Sequence, residues 1–366
     1  MEEFMKKVVT LSLAAALSMG VLAGCGAPGE ELSSAEAAPV AITGTAEHLH
    51  ILLPYGTSSA VVTEHEEAFC TALRQEMEGQ GWSVGEITLE VADTDASSGR
   101  ALDDGTADVV ILPASQYFTY SDDADLLMTA TRPGISVSST DPQDWNGSVD
   151  APAYTDEDCP YSRTLICATG TETGRALAQA AKNGTLTWEQ LSQAQWLYPH
   201  ADDSSDFLYP DLWLTETFDT TMLDLPHVQS IDGYGALFAE AAAGNADVIV
   251  IAADMRIDYA DAWQLSEEEM DYTGKMGLGQ EDSIFNEIQA IGVTEPIYGD
   301  VMALRTDEGP FADTDFQTAL IAAMEAMESN SDARAIWESC GYTGFTTSGD
   351  SHYDNIRDLT VFGAGD

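Results

Sequence analysis

Two adjacent hydroxyls, Ser204 and Ser205, stand in the run PHADDSSDF at 199–207, a polar turn leading into a helical segment around 207–218. Hydroxyls at a helix start add donors to the unpaired backbone N–H groups and the positive dipole end there, a combination that binds oxyanions. Asp202, Asp203 and Asp206 flank the pair, and these carboxylates make it a poor home for a dianion. Plain helix capping is the competing reading of the two serines. Thr57 and Ser58 are placed in the same way, in a turn that opens a long amphipathic helix carrying Val62, Phe69, Ala72 and Leu73 on one side. For covalent or redox chemistry the chain offers no G-x-S-x-G elbow, no H-E-x-x-H, no Walker A loop and no Gly-rich dinucleotide fingerprint. No catalytic residue is assigned and no cofactor is expected. His48 and His50 alternate on a strand and share a face, but the sequence places no third ligand beside them, so no metal site is assigned.

The elements that must position such residues are marked by a repeat. Residues 105–113 read GTADVVILP and residues 244–252 read GNADVIVIA. In each, a Gly suited to a helix C-cap precedes Ala-Asp and an apolar run suited to a strand buried on both faces. Asp108 and Asp247 read as turn-fixing residues. Two such units predict two similar α/β lobes. Around them the pattern predicts a first strand at 48–54, strands at 87–91, 163–168, 195–198, 223–230 and 287–293, and late helices at 314–328 and 331–339. Thr187-Trp188-Glu189-Gln190 is a capping box. Residues 133–162, rich in Gly, Ser, Asp and Pro, read as an excursion before the chain crosses over.

The chain has 366 residues, with 13 basic against 63 acidic side chains and a formal net charge of −50. Such a field argues against nucleic acid and against docking on an anionic membrane surface. Lys6 and Lys7 followed by an apolar run from Val8 to Leu22 form a secretory leader too short to span a bilayer. Leu22-Ala23-Gly24-Cys25 looks like a bacterial lipobox, which predicts a leader over 1–24, acylation of Cys25 and a lipid-anchored protein on the extracytoplasmic face. Residues 25–46 read as a flexible tether. Cys70, Cys159, Cys167 and Cys340 remain in a compartment that permits disulfides, and their pairing is open.

The order first lobe, second lobe, return resembles a type II solute-binding protein of a bacterial ABC transporter, and within that group the phosphonate-binding, PhnD-like family. The residues that carry the resemblance are the lipobox, Pro54-Tyr55-Gly56, Gly105-x-Ala107-Asp108 through Tyr117, and Thr187-x-x-Gln190-Leu191. They continue with Ser204-Ser205 and Pro210, the Tyr234 to Asp247 segment, and Ile291 with Thr294-x-Pro296. The resemblance implies an α/β, two-lobed type II periplasmic-binding-protein fold, each lobe an open, mostly parallel sheet flanked by helices, joined by two hinge strands. It implies a first lobe of 47–162 plus 294–366 and a second of 163–293. It also implies a monomer that closes on a small phosphonate-, phosphate- or phosphite-like ligand and docks on an ABC permease and ATPase complex.

By the same resemblance Ser204 and Ser205 match the family's anion-binding turn, although the Gly that usually follows its second Ser is here Asp206. Tyr234 stands where the family often has a His; it can donate one hydrogen bond and carries no charge at neutral pH. Tyr55 and Tyr117 match aromatic positions lining the cleft, and Thr57 and Ser58 would face it. Asp254 falls near an acidic position that binds a ligand ammonium, which points to a zwitterionic or amine-bearing ligand. Alternatives from the same reading are a sulfonate, amino acid or other organic acid as ligand, a sensor coupled to a membrane partner, and an enzyme on the same fold.

Overall fold

Alternation of buried side chains along short apolar strands decides the architecture. The computed structural model describes residues 40–199, 204–269, 276–307 and 309–357, apart from the side chains of Ser204 and Ser205. The expected leader 1–24, the acceptor Cys25 and the tether up to residue 39 lie outside the described residues. The chain runs β1 (Gly44–Leu53), α1 (Ser59–Gly79), β2 (Trp82–Val91), α2 (Asp95–Asp103), β3 (Val109–Leu112), α3 (Ala114–Tyr120), β4 (Ala124–Ile135), β5 (Tyr154–Cys159), β6 (Tyr161–Ser162) and β7 (Thr164–Ala168). It continues with α4 (Glu172–Lys182), α5 (Trp188–Leu191), β8 (Trp196–Pro199), α6 (Ser204–Phe218), β9 (Val228–Ile231), α7 (Gly233–Ala242), β10 (Val248–Ala252), α8 (Met255–Asp258), α9 (Ala260–Gln264) and α10 (Ile284–Glu287). The return is β11 (Gln289–Val293), β12 (Ile297–Tyr298), β13 (Val301–Arg305), α11 (Thr314–Met327), α12 (Ser331–Ser339) and β14 (Gly344–Thr347).

Two sheets result. The first has the order β14-β4-β13-β3-β1-β2, with β5 also paired to β4; the second has the order β11-β7-β10-β8-β9. Each is covered on both faces, so odd and even residues of one strand enter different cores. From β3, Val109 and Ile111 enter the core under α1, α11 and α12, while Val110 and Leu112 enter the core beside α2 and α3. From β10, Ile249 and Ile251 pack under α7, while Val248 and Val250 pack under α4. On α1, Val62, Phe69, Cys70, Leu73 and Met77 form the buried stripe, and Phe69 meets Trp337 of α12 edge-on at 5.4 Å. Truncating Phe69 to Ala removes about 3–5 kcal/mol.

The parallel sets are β2-β1-β3 and β9-β8-β10, while β13 and β7, which enter each sheet from the crossings, run antiparallel to β3 and β10. Both sheets are therefore more mixed than the sequence reading has them. The crossings meet as a ribbon, β6 with β12, pairing Ser162 with Ile297 and Tyr161 with Tyr298. Thr294 ties the crossing to β7: its Oγ1 accepts the Thr164 N–H at 3.0 Å, and its own N–H donates to the Thr164 carbonyl at 3.0 Å.

Three sequence expectations change. β1 begins at Gly44 and β2 at Trp82, both earlier than read. The extra residues alternate buried and exposed, with Ala46, Trp82 and Val84 inside, so the strand pattern outlasts the apolar run. The excursion after β4 packs on the second sheet: Trp145 is 1 % exposed in its core, and the Asn146 side chain exchanges two hydrogen bonds with the Ala290 backbone at 2.9 and 2.7 Å. Cys70, Cys159, Cys167 and Cys340 are all free thiols. Burial pushes the thiols of Cys70 and Cys167 up to about 11, which suits inert packing residues.

Candidate functional site

The carboxylates of the repeat set the strand ends first. Asp108 Oδ2 accepts the His50 N–H at 2.7 Å, and Asp247 Oδ2 accepts the Gln195 N–H at 3.0 Å while its Oδ1 accepts the Thr171 hydroxyl at 2.6 Å. Each Asp thus ties the turn before one strand to the neighbouring parallel strand. The glycines opening the two turns, Gly105 and Gly244, have φ of 66° and 76°, the left-handed region where a residue without Cβ costs least.

At the far ends of the second sheet's parallel strands lie four predicted residues and one neighbour. Ser204 and Ser205 open α6; their side chains lie outside the described residues. Asp206, in the first turn, is 1 % exposed. Tyr234, at the start of α7, donates to Asp206 Oδ1 at 3.2 Å and accepts the Ala252 N–H at 3.3 Å. Burial, followed by the Asp206 charge, holds its hydroxyl far above the usual tyrosine range. Asp254 follows β10 and precedes α8. Burial raises its carboxyl above the ordinary range, and the nearby Arg132 charge partly offsets this.

The first lobe divides its predicted residues. Tyr55 is exposed at the end of β1. Ser58 caps α1, accepting the Val61 N–H at 3.5 Å. Thr57 is buried and donates to the Pro54 carbonyl at 2.7 Å, with Cys340 Sγ at 3.3 Å, so its hydroxyl closes a turn. Tyr117 is 3 % exposed and donates to the Ala124 carbonyl at 3.4 Å; burial pushes it up to about 12. Its ring packs in the core of the first lobe, in one cluster with Leu102 of α2, Val110 and Leu112 of β3 and Val301 and Ala303 of β13. The second lobe supplies that same core with Tyr209 of α6. The lobes touch again where Tyr154 of β5 donates to Asp258 Oδ1 of α8 at 2.8 Å.

Where β4, β5 and β6 meet the end of β10, a cavity of about 340 Å³ opens, lined by Arg132, Ser136, Trp145, Tyr161, Arg163 and Asp254 among others. His48 and His50 lie elsewhere, near Asp108 and Glu90 at 3.8 and 3.2 Å. Another hollow, about 290 Å³ beside α4, holds Arg175, which is already paired with Glu287 at 3.1 Å. Arg132 and Arg163 were missed in the sequence. Their signal was rarity, two guanidinium groups bracketing the polar excursion of a chain with 13 basic residues in 366. Hydroxyls, aromatic rings and charged groups of both signs line this cavity.

Comparison with known proteins gives the context. The family of the ABC transporter, phosphonate, periplasmic substrate-binding protein matches residues 52–353. Among solved structures, the Mycoplasma hyorhinis protein Mh-p37 is similar at a TM-score of 0.54 and 12% identity, covering 87% of this chain and 98% of that one. PhnD1 from Prochlorococcus marinus, solved with methylphosphonate, is similar at a TM-score of 0.47 and 11% identity, covering 87% and 98%. No curated protein matches by sequence. The family match spans both sheets and the ribbon between them: the chain belongs to the periplasmic substrate-binding proteins of ABC phosphonate transporters, which take up a small molecule outside the cytoplasm and deliver it to a membrane permease.

Proposed function

We propose that this protein is a lipid-anchored receptor that closes its lobes around a small oxyanion-bearing ligand of the phosphonate, phosphate or phosphite kind and hands it to a permease and ATPase complex, without catalysing a reaction itself. The observation that supports this most is the family match over residues 52–353. The lobes would be 47–162 plus 294–366 and 163–293, with the stretch around Trp145 carried on the second. Ligand contacts would come from Tyr55 and Ser58 on one side and Ser204, Ser205, Tyr234 and Asp254 on the other. Thr57 and Tyr117 would support the cleft from behind. Hinge closure works as a receptor because both lobes contribute contacts, so ligand populates the closed state. Acylation at Cys25 would anchor the protein; no helix among the described residues is long and apolar enough to cross a membrane.

A second reading, a zwitterionic or amine-bearing acid, is favoured by the buried Asp206 at the start of α6 and by Asp254. Thermal unfolding against phosphate, phosphite, alkyl- and aminoalkyl-phosphonates, sulfonates and amino acids tests both. A ligand at 100 times its Kd adds about 2.7 kcal/mol, a rise of several degrees at roughly 2–4 °C per kcal/mol. A shift with phosphorus acids supports the first reading. A shift confined to sulfonates or amino acids removes it. Labelling with a radioactive fatty acid that disappears in Cys25→Ser supports the anchor, and equal labelling of the variant excludes it.

A further inference from the structure

We propose that the acid group of the ligand is held by Arg132 and Arg163, in the cavity between the β4–β5–β6 corner and the end of β10, and that Ser204, Ser205 and Tyr234 at the start of α6 and α7 contact the rest of the ligand rather than its acid group. This rests on the reading that the protein binds a small acid. The start of α6 already holds an internal anion: Asp206 is 1 % exposed and accepts the Tyr234 hydroxyl. A ligand anion placed there would lie beside a buried like charge, in the region where such repulsion is least screened.

The cavity offers the opposite. Among the described residues the Arg132 guanidinium makes no hydrogen bond or ion pair, yet its charge reaches Asp254 and Tyr154. Arg163 is 7 % exposed; one of its terminal nitrogens donates to the Thr294 carbonyl at 2.6 Å, and its Nε is buried without a partner among the described residues. Its guanidinium lies over the Tyr161 ring at 5.8 Å. A buried unmet donor is costly, and a planar guanidinium is built for two-point contact with an oxyanion. Glu157 and Asp158 also line the cavity but are exposed to solvent. Asp254 is the carboxylate that shares its floor. A ligand carrying one acid group and one ammonium matches this set: its acid lies on the two arginines and its ammonium on Asp254.

The test is calorimetric titration of the purified protein with methylphosphonate, 2-aminoethylphosphonate, taurine and β-alanine. Arg132→Gln and Arg163→Gln are compared with Arg175→Gln, which removes the same charge from the hollow beside α4. The expected result is that the first two variants weaken binding about 30-fold or more, as loss of a charged hydrogen-bond donor does, while Arg175→Gln binds as the wild type does. Arg163→Gln loses its bond to Thr294 and can unfold. Arg132→Gln, half-buried and bonded to no described side chain, keeps the test decisive, with circular dichroism as the folding control. Undiminished binding by Arg132→Gln overturns the assignment and leaves the small-acid reading standing. Equal weakening in Arg132→Gln and Arg175→Gln also overturns it, since that is a long-range field effect. Failure of the wild type to bind any of the four overturns this assignment, and failure with phosphate and phosphite as well sinks the reading beneath it.

Discussion

In the first lobe the Asp of the repeat reaches His50 of β1; in the second it reaches Gln195, just before β8. In both, a left-handed Gly precedes it and a strand buried on both faces follows. Beyond the strands the copies part. After β3 the chain folds Tyr117 into the core, with its hydroxyl spent on a carbonyl. After β10 it leaves Asp254 on the wall of a cavity shared with two arginines. The repeated turn builds the scaffold, and the residues after the strand differ: one copy adds a tyrosine to a core, the other a carboxylate to the lining of a cavity. This division is physical: a buried strand has little freedom in sequence, whereas the segment beyond its end tolerates change.

The comparison can be broken or sharpened by substitution. Tyr209 is the residue that one lobe lends to the other, 4 % exposed in the first lobe's core. Tyr209→Ala is expected to cost about 3 kcal/mol in denaturant unfolding; a loss below about 1 kcal/mol would show that the lobes do not depend on it. If the two carboxylates are equivalent, Asp108→Ala and Asp247→Ala each lose about 2 kcal/mol, Asp247→Ala slightly more because it also holds the Thr171 hydroxyl. A neutral effect at either position would end the equivalence.

The glycines sharpen it further. A Cβ on Gly244 meets nothing within 4 Å, so Gly244→Ala should cost about 1 kcal/mol for its backbone alone. A Cβ on Gly105 would lie on the Arg305 guanidinium, which is held by Asp307 at 2.8 Å. Gly105→Ala should therefore melt lower than Gly244→Ala, and equal melting temperatures would contradict the packing around Arg305.

The smallest effect expected is electrostatic. Burial raises the Asp254 carboxyl above its unfolded value, so the folded state binds the proton more tightly and stability falls as pH rises from the ordinary carboxylate range through the raised value. Asp254→Asn should be slightly more stable than wild type at pH 7, with the gap closing below the ordinary carboxylate range. A gap that widens on acidification would reverse the sign.

Much of this fold was legible because local chemistry repeats itself. The Gly-Ala-Asp turns, the Thr187 capping box, the long α1 and the late helices α11 and α12 follow from short-range patterns. The starts of β1 and β2 were hidden because their outer residues are polar on the exposed face. The site was less legible. Whether Tyr117 or Thr57 faces a cleft depends on how α3 and the turn after β1 rotate, which periodicity does not encode. Arg132 and Arg163 are brought to one cavity by the β4–β5 pairing, which sets Arg132 opposite Cys159, a tertiary fact with no local signature. Tyr234 is legible as a candidate contact from its place at a helix start, but the partners of its hydroxyl, Asp206 and the Ala252 N–H, are tertiary facts that the sequence does not encode.

The central claim is that this protein captures a small acid between two lobes. Direct titration of the purified protein with phosphonates, phosphate, phosphite, sulfonates and amino acids measures it most plainly. The account predicts saturable binding of at least one of these acids with a stoichiometry of about one, as two lobes closing on a single cavity require. Absence of binding across the whole set, from a protein that unfolds cooperatively, would contradict it.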